Sequence, residues 1–276
     1  MSPDCYPGQP PGASAIGHAD HVRYGSLTQT GFAIALLALI TVGVMGFAGI
    51  RQRLDYLGAA ARSIVQLILV ALVVAWVFLH PAGTALYLVV MLVAATATSV
   101  RRIKCGWRNG WRVLTPLAFG AVVAVTPVIA TGALPLTTQS VLPFTAQVIG
   151  GSMTAVSLTG TRFRDDAHSE WDVVEGWLAI GATPREAVAA IGRRAAERSL
   201  IPGLDQTRSA GLVVLPGAFV GMLLGGASPA QAAQVQLLVL IALLAATTCA
   251  AAGLVATMSP VYGLRRPASL EPEDKA

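Results

Sequence analysis

The sequence predicts an all-α, polytopic integral membrane protein with seven transmembrane helices, an outside N-terminus and a cytoplasmic C-terminus. Composition is the first reason: of 276 residues, 54% are hydrophobic and 12% charged, whereas soluble domains carry about 25% charged residues. The second is a set of seven apolar stretches close to the length of about 20 residues that crosses about 30 Å of hydrocarbon. The third is the placement of basic residues on alternate connections between these stretches.

The seven apolar stretches follow one another from residue 30 to residue 258, which defines the predicted transmembrane domain. In order they are Thr30–Ile50, Ser63–Leu79, Gly83–Val100, Val113–Ala133, Val141–Gly160, Ser209–Gly226 and Ala232–Met258. Before them, residues 1–29 are rich in Pro, Gly and small residues and are expected to be a disordered, extracytoplasmic lead-in. The sixth stretch is the least regular, because Pro216 and several glycines interrupt it. Residues 259–276 form the expected cytoplasmic tail.

Charge placement tests this count and sets the orientation. Of the 19 basic residues, 18 follow the first, third, fifth or seventh stretch, and only Arg23 lies on the other side. Cytoplasmic loops carry an excess of Lys and Arg, so these four connections are predicted to be cytoplasmic. No Asp or Glu lies inside a predicted span, which argues against a carrier coupled to ions by an intramembrane carboxylate. Backbone carbonyls of an unwound helix could still bind ions.

Catalytic and cofactor chemistry finds no support in the sequence. There is no Gly-rich phosphate loop beside either lysine, and the His, Ser and Asp residues form no catalytic or metal-ligand spacing. No cofactor is expected, the metal ligands are unknown, and the three cysteines are too scattered for a disulfide framework. Polar side chains inside the spans are hydroxyls and amides, for which interhelical hydrogen bonding is the plain alternative to a transport role: Gln66, Gln147, Ser152, Thr154, Ser157 and Gln236.

The connection from residue 161 to residue 206 predicts two helices joined by a glycine elbow. Ser169 is expected to cap the first helix, which would bury one face containing Trp171, Val174, Trp177 and Leu178. Gly181 is expected to stop it. Thr183, Pro184 and Glu186 then predict a new N-terminus with a capping box.

The second helix would bury one side and end before Ile201-Pro202. That side contains Ala187, Val188, Ile191 and Ala195. Such a hairpin could lie on anionic lipid or dock a soluble partner. The elbow favours docking, because a helix that lies on lipid gains nothing from a break at its middle.

Motifs in and around this loop resemble a known family. "EGWLAIG" at Glu175–Gly181, with Ile191 ten residues beyond the glycine, resembles the EAA loop of ABC-transporter permeases. The flanking "IGGSMTAVSLTGTRFRDD" and "LIPGLDQTRSAGLVVLPGAFVGMLLGG" are similar to segments of the FetB-type metal-export permeases, which include plant aluminium-tolerance permeases. The resemblance spans roughly residues 51–258.

Departures from the family pattern fall in two places. In the loop, Gly176 and Trp177 replace two alanines, and Arg193 and Arg194 stand where a Leu-Pro pair usually follows. In the spans, Gly151 and Thr154 replace two asparagines, and residues 218–222 replace a Met-Met-Thr-Gly-Gln run. Donors suited to a metal ion are thus fewer than in the family.

The resemblance implies a permease subunit without enzyme activity, in the cell inner (plasma) membrane, that exports metal ions such as iron. A separate ATP-binding cassette ATPase would supply the energy, two permease copies would assemble in membrane lipid, and no nucleic acid would bind. Partner-coupling residues would be Glu175, Trp177, Gly181, Thr183, Pro184, Arg185, Glu186, Ile191 and Arg193. The expected translocation pathway contains Gln147, Gly150, Ser152, Met153, Thr154, Pro216, Gly217 and Met222. The alternatives are a stand-alone secondary transporter, a seven-helix signalling protein and an ABC permease for a non-metal substrate.

Overall fold

The computed structural model describes residues 26–49, 53–80 and 83–264, and within them the chain is helical, with one isolated bridge between Ala210 and Val214. The all-α prediction is therefore confirmed for the described part of the chain. The α-helices are α1 (Leu27–Phe47), α2 (Arg53–Leu79), α3 (Gly83–Ile103), α4 (Gly110–Ala130), α5 (Thr138–Ser169), α6 (Trp171–Ala179), α7 (Pro184–Ala187), α8 (Ala189–Ser209), α9 (Gly217–Leu224) and α10 (Pro229–Tyr262).

Six of the described helices are long and apolar enough to cross a membrane: α1 to α5 and α10. They correspond to six of the seven predicted spans, with ends displaced by up to ten residues. The largest differences are at α2, which begins at Arg53, and α5, which continues to Ser169. Both extensions are polar, and a helix satisfies their backbone groups as well outside the hydrocarbon as inside it. Residues 1–25 of the lead-in and residues 265–276 of the tail lie outside the described residues.

The predicted sixth span, Ser209–Gly226, does not form one continuous helix. Helix α8 ends at Ser209, and only the eight residues of α9 are helical after it. Gly211 has a φ of +82° and Gly226 a φ of +88°, a left-handed backbone that ends helices. Pro216 stands just before α9 with extended backbone. Proline is tolerated at the start of a helix, where a backbone N–H would have no partner within the helix.

The chain divides into two compact units, Met1–Val70 and Ala71–Ala276. In the first unit, α1 and the beginning of α2 expose their apolar side chains; Phe32 and Leu39, for example, are about 70% exposed (72% and 70%). A helix that is apolar all round is typical of a lipid-facing span.

The second unit is built around α10, which packs against α4, α5 and α8. Small residues allow close contact: a Cβ on Gly120 of α4 would lie 2.5 Å from the Ala246 carbonyl oxygen, and one on Gly253 of α10 would lie 2.8 Å from Pro116. This is the small-residue packing expected where lipid provides no hydrophobic driving force between helices. Leu117, Val148 and Ala246 are fully buried in the resulting core.

Helix α8 runs antiparallel to α10. Near its start, Gly192 lies against Val255, and further along, Gly203 lies against Leu244 near the middle of α10. The Thr159 and Ser199 hydroxyls, 2.6 Å apart and buried, connect α8 to α5. The helix therefore begins in the polar connection and continues alongside the apolar helices, although the sequence predicts that it ends before residue 201.

Candidate partner-docking site

The first helix of the polar connection begins one residue later than predicted. Helix α5 continues to Ser169, whose hydroxyl donates to the Asp166 carbonyl at 3.1 Å instead of accepting from the next turn. Glu170 stands between the two helices, and α6 starts at Trp171. The prediction that Ser169 caps this helix is wrong, because its side chain is engaged by the helix that precedes it.

The predicted glycine elbow is present. Gly181 has a φ of +92°, and its N–H donates to the Leu178 carbonyl while the Ala182 N–H donates to the Trp177 carbonyl, both at 3.0 Å. This pair of bonds is a Schellman motif, which requires a left-handed residue that glycine adopts without a Cβ penalty. The elbow is therefore a defined turn between two helices.

The predicted capping box is also present. The Thr183 hydroxyl accepts from the Glu186 N–H at 3.3 Å, and the Glu186 carboxylate accepts from the Thr183 N–H at 2.8 Å. The hydrogen bond from the Thr183 backbone, joined by one from its hydroxyl, lowers the pKa of Glu186 below its ordinary value. The carboxylate thus helps to hold the N-terminus of α7.

The second helix differs from its prediction at both ends. Helix α7 contains four residues, and after Val188 the chain continues as α8, which includes Pro202 and ends at Ser209. The predicted end before Ile201-Pro202 is wrong, although Pro202 leaves one carbonyl without its usual partner. Packing of Gly203 against Leu244 and the bond between Ser199 and Thr159 hold the helix on both sides of the proline.

The predicted buried side of the second helix is confirmed: Ala187, Val188, Ile191 and Ala195 are each 5% exposed or less. They form one core with Trp171 and Val174 of α6 and with the adjacent ends of four long helices, represented by Ile103, Val113, Phe163 and Tyr262. Trp177 does not belong to this core, because it is 51% exposed.

Ion pairs and a backbone contact fix the elbow to the spanning helices. Arg194 reaches Glu170 with an N–O distance of 2.7 Å, and Arg198 reaches Asp166 at 3.3 Å. A Cβ on Gly263, just after α10, would overlap the Pro184 carbonyl. Displacing α7 or α8 would therefore displace the ends of α5 and α10.

The outer face of α6, together with Ile180 directly after it, is an exposed apolar stripe made of Val173, Trp177 and Ile180, which are 53%, 51% and 76% exposed. Their spacing of four and three residues places them on one face of the helix, opposite Trp171 and Val174. Val173 and Ile180 were not predicted as part of a surface, because the sequence pattern was interpreted as a single buried face of Trp171, Val174, Trp177 and Leu178. The signal in the sequence was a second set of apolar residues at spacings of four and three, which indicates a second apolar face on this short helix.

Polar residues around this apolar stripe are also exposed, and the structure divides the predicted coupling residues into two groups. Arg185 and Arg193 are exposed and form no ion pair with a described residue. On the surface are Glu175, Trp177, Gly181, Thr183, Arg185, Glu186 and Arg193, with Pro184 half-buried. Ile191 is 2% exposed and supports the surface from beneath.

The predicted pathway residues do not share one surface. On α5, Gln147 and Thr154 are exposed, Gly150 is half-buried, and the Thr154 hydroxyl donates to the Gly150 carbonyl at 3.1 Å. Ser152 is completely buried and has no hydrogen-bond partner among the described residues, and Met153 packs on the core. Pro216, Gly217 and Met222 lie at the start of α9 or within it.

A cavity of about 200 Å³ lies between α5, α8 and α10. Its polar lining comes from Thr154, Ser199, Gln206, Thr207 and Thr247, and the rest is largely apolar. Of the predicted pathway residues, Thr154 lines it. Among the described residues, no three His, Cys, Asp or Glu side chains come together as potential metal ligands.

Comparison with known proteins decides the family. The model of the Uncharacterised protein family UPF0014 matches residues 28–262. The chain belongs to the UPF0014 family. This UPF0014 protein is 32% identical over 206 residues to the membrane protein YjkA of Bacillus subtilis, covering 73% of this chain and 82% of the relative. The residues matched by the family model, 28–262, include the elbow and nearly the full length of all six long apolar helices.

Two further relatives confirm the resemblance drawn from the sequence motifs. The UPF0014 protein is 29% identical over 222 residues to Protein ALUMINUM SENSITIVE 3 of Arabidopsis thaliana, covering 78% of this chain and 80% of the relative. It is 27% identical over 222 residues to the Probable iron export permease protein FetB of Escherichia coli, with coverage of 79% and 86%. No solved structure matches it. The family to which the chain belongs therefore includes a protein named as a probable export permease.

Proposed function

We propose that this UPF0014 protein is the membrane subunit of an ABC transporter, exporting metal ions with energy from a separate ATP-binding subunit. The observation that carries the proposal is the exposed stripe of Val173, Trp177 and Ile180 on an elbow that is packed into the spanning helices. Burial of one large apolar side chain contributes about 1.5–3 kcal/mol. Burial of the stripe by a partner would therefore contribute several kcal/mol to the binding free energy. Arg185 and Arg193, which lie beside the stripe without ion pairs to described residues, could form ion pairs with the partner.

Movement of the bound ATPase would reach the membrane through α8. The elbow and α8 share a core with the ends of α3, α4, α5 and α10, and packed cores shift between discrete arrangements instead of deforming smoothly. A displacement of α7 would therefore move α8 along α5 and α10. No ATP chemistry is needed in this chain.

We propose that α8 and α9 together form the seventh crossing. Gly151 of α5 lies against Leu243 of α10, and Phe163 lies against Tyr262, so α5 and α10 run parallel. The chain between them must return across the same thickness, and α8 begins that return. Seven crossings with the basic connections inside place the N-terminus outside and the C-terminus in the cytoplasm.

This crossing would take two charged residues into the bilayer. The Thr257 hydroxyl of α10 donates to the Arg112 carbonyl in the first turn of α4. Leu244 lies thirteen residues before Thr257, which is a distance of about 20 Å along α10 at 1.5 Å per residue. Gly203 lies beside Leu244, so Asp205 and Arg208 lie deeper still. They are exposed, 3.7 Å apart, and beside the cavity residues Gln206 and Thr207. Intramembrane charges usually face water or protein.

We therefore place the pathway along the exposed side of α8 and the Gln147–Thr154 face of α5, closed on its other side by a second copy. Neither face is covered by the described residues of the second unit. The apolar stretches contain no acidic residue, because the sixth begins only at Ser209. The proposed crossing begins earlier and includes Asp205.

Support for metal as the cargo comes from relatives. FetB of Escherichia coli is named as a probable iron export permease, and the Arabidopsis relative is named for aluminium sensitivity. The replacement of two asparagines by Gly151 and Thr154 favours the alternative of an ABC permease for a non-metal substrate. A deletion strain screened against metals separates the two: selective sensitivity to one metal supports metal export, and unchanged growth on all of them contradicts it.

Co-purification tests the ATPase partnership. The full chain, isolated in mild detergent from its own cells, is expected to retain an ATP-binding protein. Trp177→Ser with Ile180→Ser should lower the recovered partner more than tenfold without changing the melting temperature, whereas Ala190→Ser on the exposed side of α8 should change neither. If no ATP-binding protein accompanies the wild-type chain and Gly181→Pro transports normally, a stand-alone secondary transporter is the better description.

Cysteine labelling tests the proposed pathway separately. In a chain with its native cysteines replaced by serine, Asp205→Cys should react with a charged, membrane-impermeant thiol reagent. Ile241→Cys, an exposed apolar position on α10, should not. Arg193→Cys, near the start of α8, reports the labelling rate at the cytoplasmic surface. Equal rates at positions 205 and 193 would put this part of α8 at the surface, and no reaction at 205 would contradict an aqueous pathway.

A further inference from the structure

The turn between α3 and α4 concentrates positive charge. Residues 101–112 contain five basic residues and no Asp or Glu, so their formal charge of +5 equals that of the whole chain: Arg101, Arg102, Lys104, Arg108 and Arg112. The elbow and its flanks, residues 161–208, contain seven basic and eight acidic residues. The two polar regions therefore differ in the ligand charge that they attract.

No cation of this turn forms an ion pair with a described residue, whereas several arginines of residues 161–208 do. All four ion pairs among the described residues belong to arginines 164, 194, 198 and 208. Arg101, Arg102 and Arg108 are exposed and face no acidic partner among the described residues. A cluster of like charges without counter-charges is stabilised by an anion from outside the chain.

Two exposed tryptophans stand among these cations. Trp107 is 63% exposed and Trp111 57%, and the guanidinium carbon of Arg101 lies 5.7 Å from the ring centre of Trp107. The guanidinium carbon of Arg112 lies 5.2 Å from the ring centre of Trp111. Its Nη1 donates to the Thr257 carbonyl at 3.5 Å, and its buried Nε has no acceptor among the described residues. The rings restrict both guanidinium groups, so less freedom is lost when a ligand binds.

The position of the turn identifies the source of the anion. The turn joins α3 and α4, both long and apolar enough to cross a membrane, so it lies where lipid headgroups lie. Tryptophan rings prefer this depth, and arginine binds phosphate oxygens with two parallel hydrogen bonds. Basic groups between the cytoplasmic ends of spanning helices are a known setting for anionic headgroups.

We propose that the turn formed by residues 101–112 is a binding site for the phosphate group of an anionic phospholipid. The guanidinium groups of Arg101, Arg108 and Arg112 contact the phosphate oxygens, and the rings of Trp107 and Trp111 pack beside the glycerol and upper acyl chains. The site is separate from the elbow and does not depend on the proposed ATPase partnership.

Native mass spectrometry of the full chain tests the site. Micelles are prepared with increasing mole fractions of phosphatidylglycerol or of zwitterionic phosphatidylcholine, and retained lipid is counted. The wild-type chain should retain phosphatidylglycerol preferentially. Each removed cation should weaken retention about fivefold, the equivalent of about 1 kcal/mol for one basic residue at a membrane surface. The exposed triple variant Arg101→Gln, Arg102→Gln, Arg108→Gln should therefore lose on the order of 100-fold.

A matched control and two further measurements decide between outcomes. Arg198→Gln removes an exposed arginine that is paired with Asp166, and should leave retention unchanged. Trp107→Leu should weaken retention while keeping all five charges. Equal retention by the triple variant and the wild type would overturn the proposal. Displacement of the lipid by millimolar inorganic phosphate would identify a free-anion site instead. Loss of a co-purified ATP-binding protein in the triple variant, with lipid retention intact, would assign the turn to that protein.

Discussion

Replacing Gly181 by alanine should loosen the elbow through backbone strain alone. Gly181 has a φ of +92°, and a Cβ built on it has no neighbour within 4 Å. The substitution therefore removes no contact and creates no clash. An L-residue in the left-handed region costs about 1–2 kcal/mol, so we expect destabilisation of this size at the turn.

Gly176 provides a control on the same short helix. It also has open space around its Cβ position, but lies inside α6, where alanine is more favourable than glycine by about 0.5–1 kcal/mol. Gly176→Ala should therefore stabilise α6, while Gly181→Ala weakens the turn that follows it. The two variants have the same added methyl group and opposite expected signs.

Amide hydrogen exchange of the full chain in detergent measures the difference. The Gly181 and Ala182 amides donate the two bonds of the turn, so in Gly181→Ala the amides of residues 181 and 182 should exchange about 5- to 30-fold faster. They should exchange no faster in Gly176→Ala. Equal exchange in both variants would refute the argument that a left-handed residue is required at position 181.

Three further predictions concern packing, buried hydroxyls and pH. Gly120→Ala, whose Cβ would lie 2.5 Å from the Ala246 carbonyl oxygen, should lower unfolding stability by about 1–3 kcal/mol, while Gly150→Ala, with open space, should not; thermal unfolding in detergent compares them. Ser199→Ala leaves the buried Thr159 hydroxyl without this partner and should cost about 1–3 kcal/mol, whereas adding Thr159→Val should recover part of the loss. Because the pKa of Glu186 is lowered in the folded chain, its stabilisation of the α7 cap is present above the ordinary carboxyl pKa and is lost as pH falls through the lowered value. Exchange at the Thr183 amide should follow this pH dependence, and Glu186→Gln should abolish it.

The local parts of the elbow were predictable because each depends on a few neighbouring residues. Gly181 adopts its left-handed conformation because it has no Cβ, and the Thr183 and Glu186 side chains form the capping box with each other's backbone. The prediction that Ser169 caps the first helix was wrong for the opposite reason. Its hydroxyl can cap a following helix or bond back to a preceding one, and the continuation of α5 decides between these two roles. The face of Trp177 likewise depended on where Trp171 and Val174 packed.

The path of α8 could not be read from the sequence, because tertiary contacts decide it. Pro202 is a helix-ending signal, yet packing of Gly203 on Leu244 and the Ser199–Thr159 bond maintain the helix beyond it. That extension carries Asp205 alongside the apolar helices. A charge census based on apolar runs places Asp205 in the loop, since hydropathy does not register a polar helix that packs on its neighbours.

The contact between Gly263 and Pro184 has a practical consequence for experiments. Described structure ends at Leu264, one residue after the position where a side chain would overlap the Pro184 carbonyl. A bulky group attached directly after Leu264 would therefore lie beside the elbow that we propose as the docking surface. Such a group would compete sterically with an incoming subunit, so a reporter should be kept away from this end of α10.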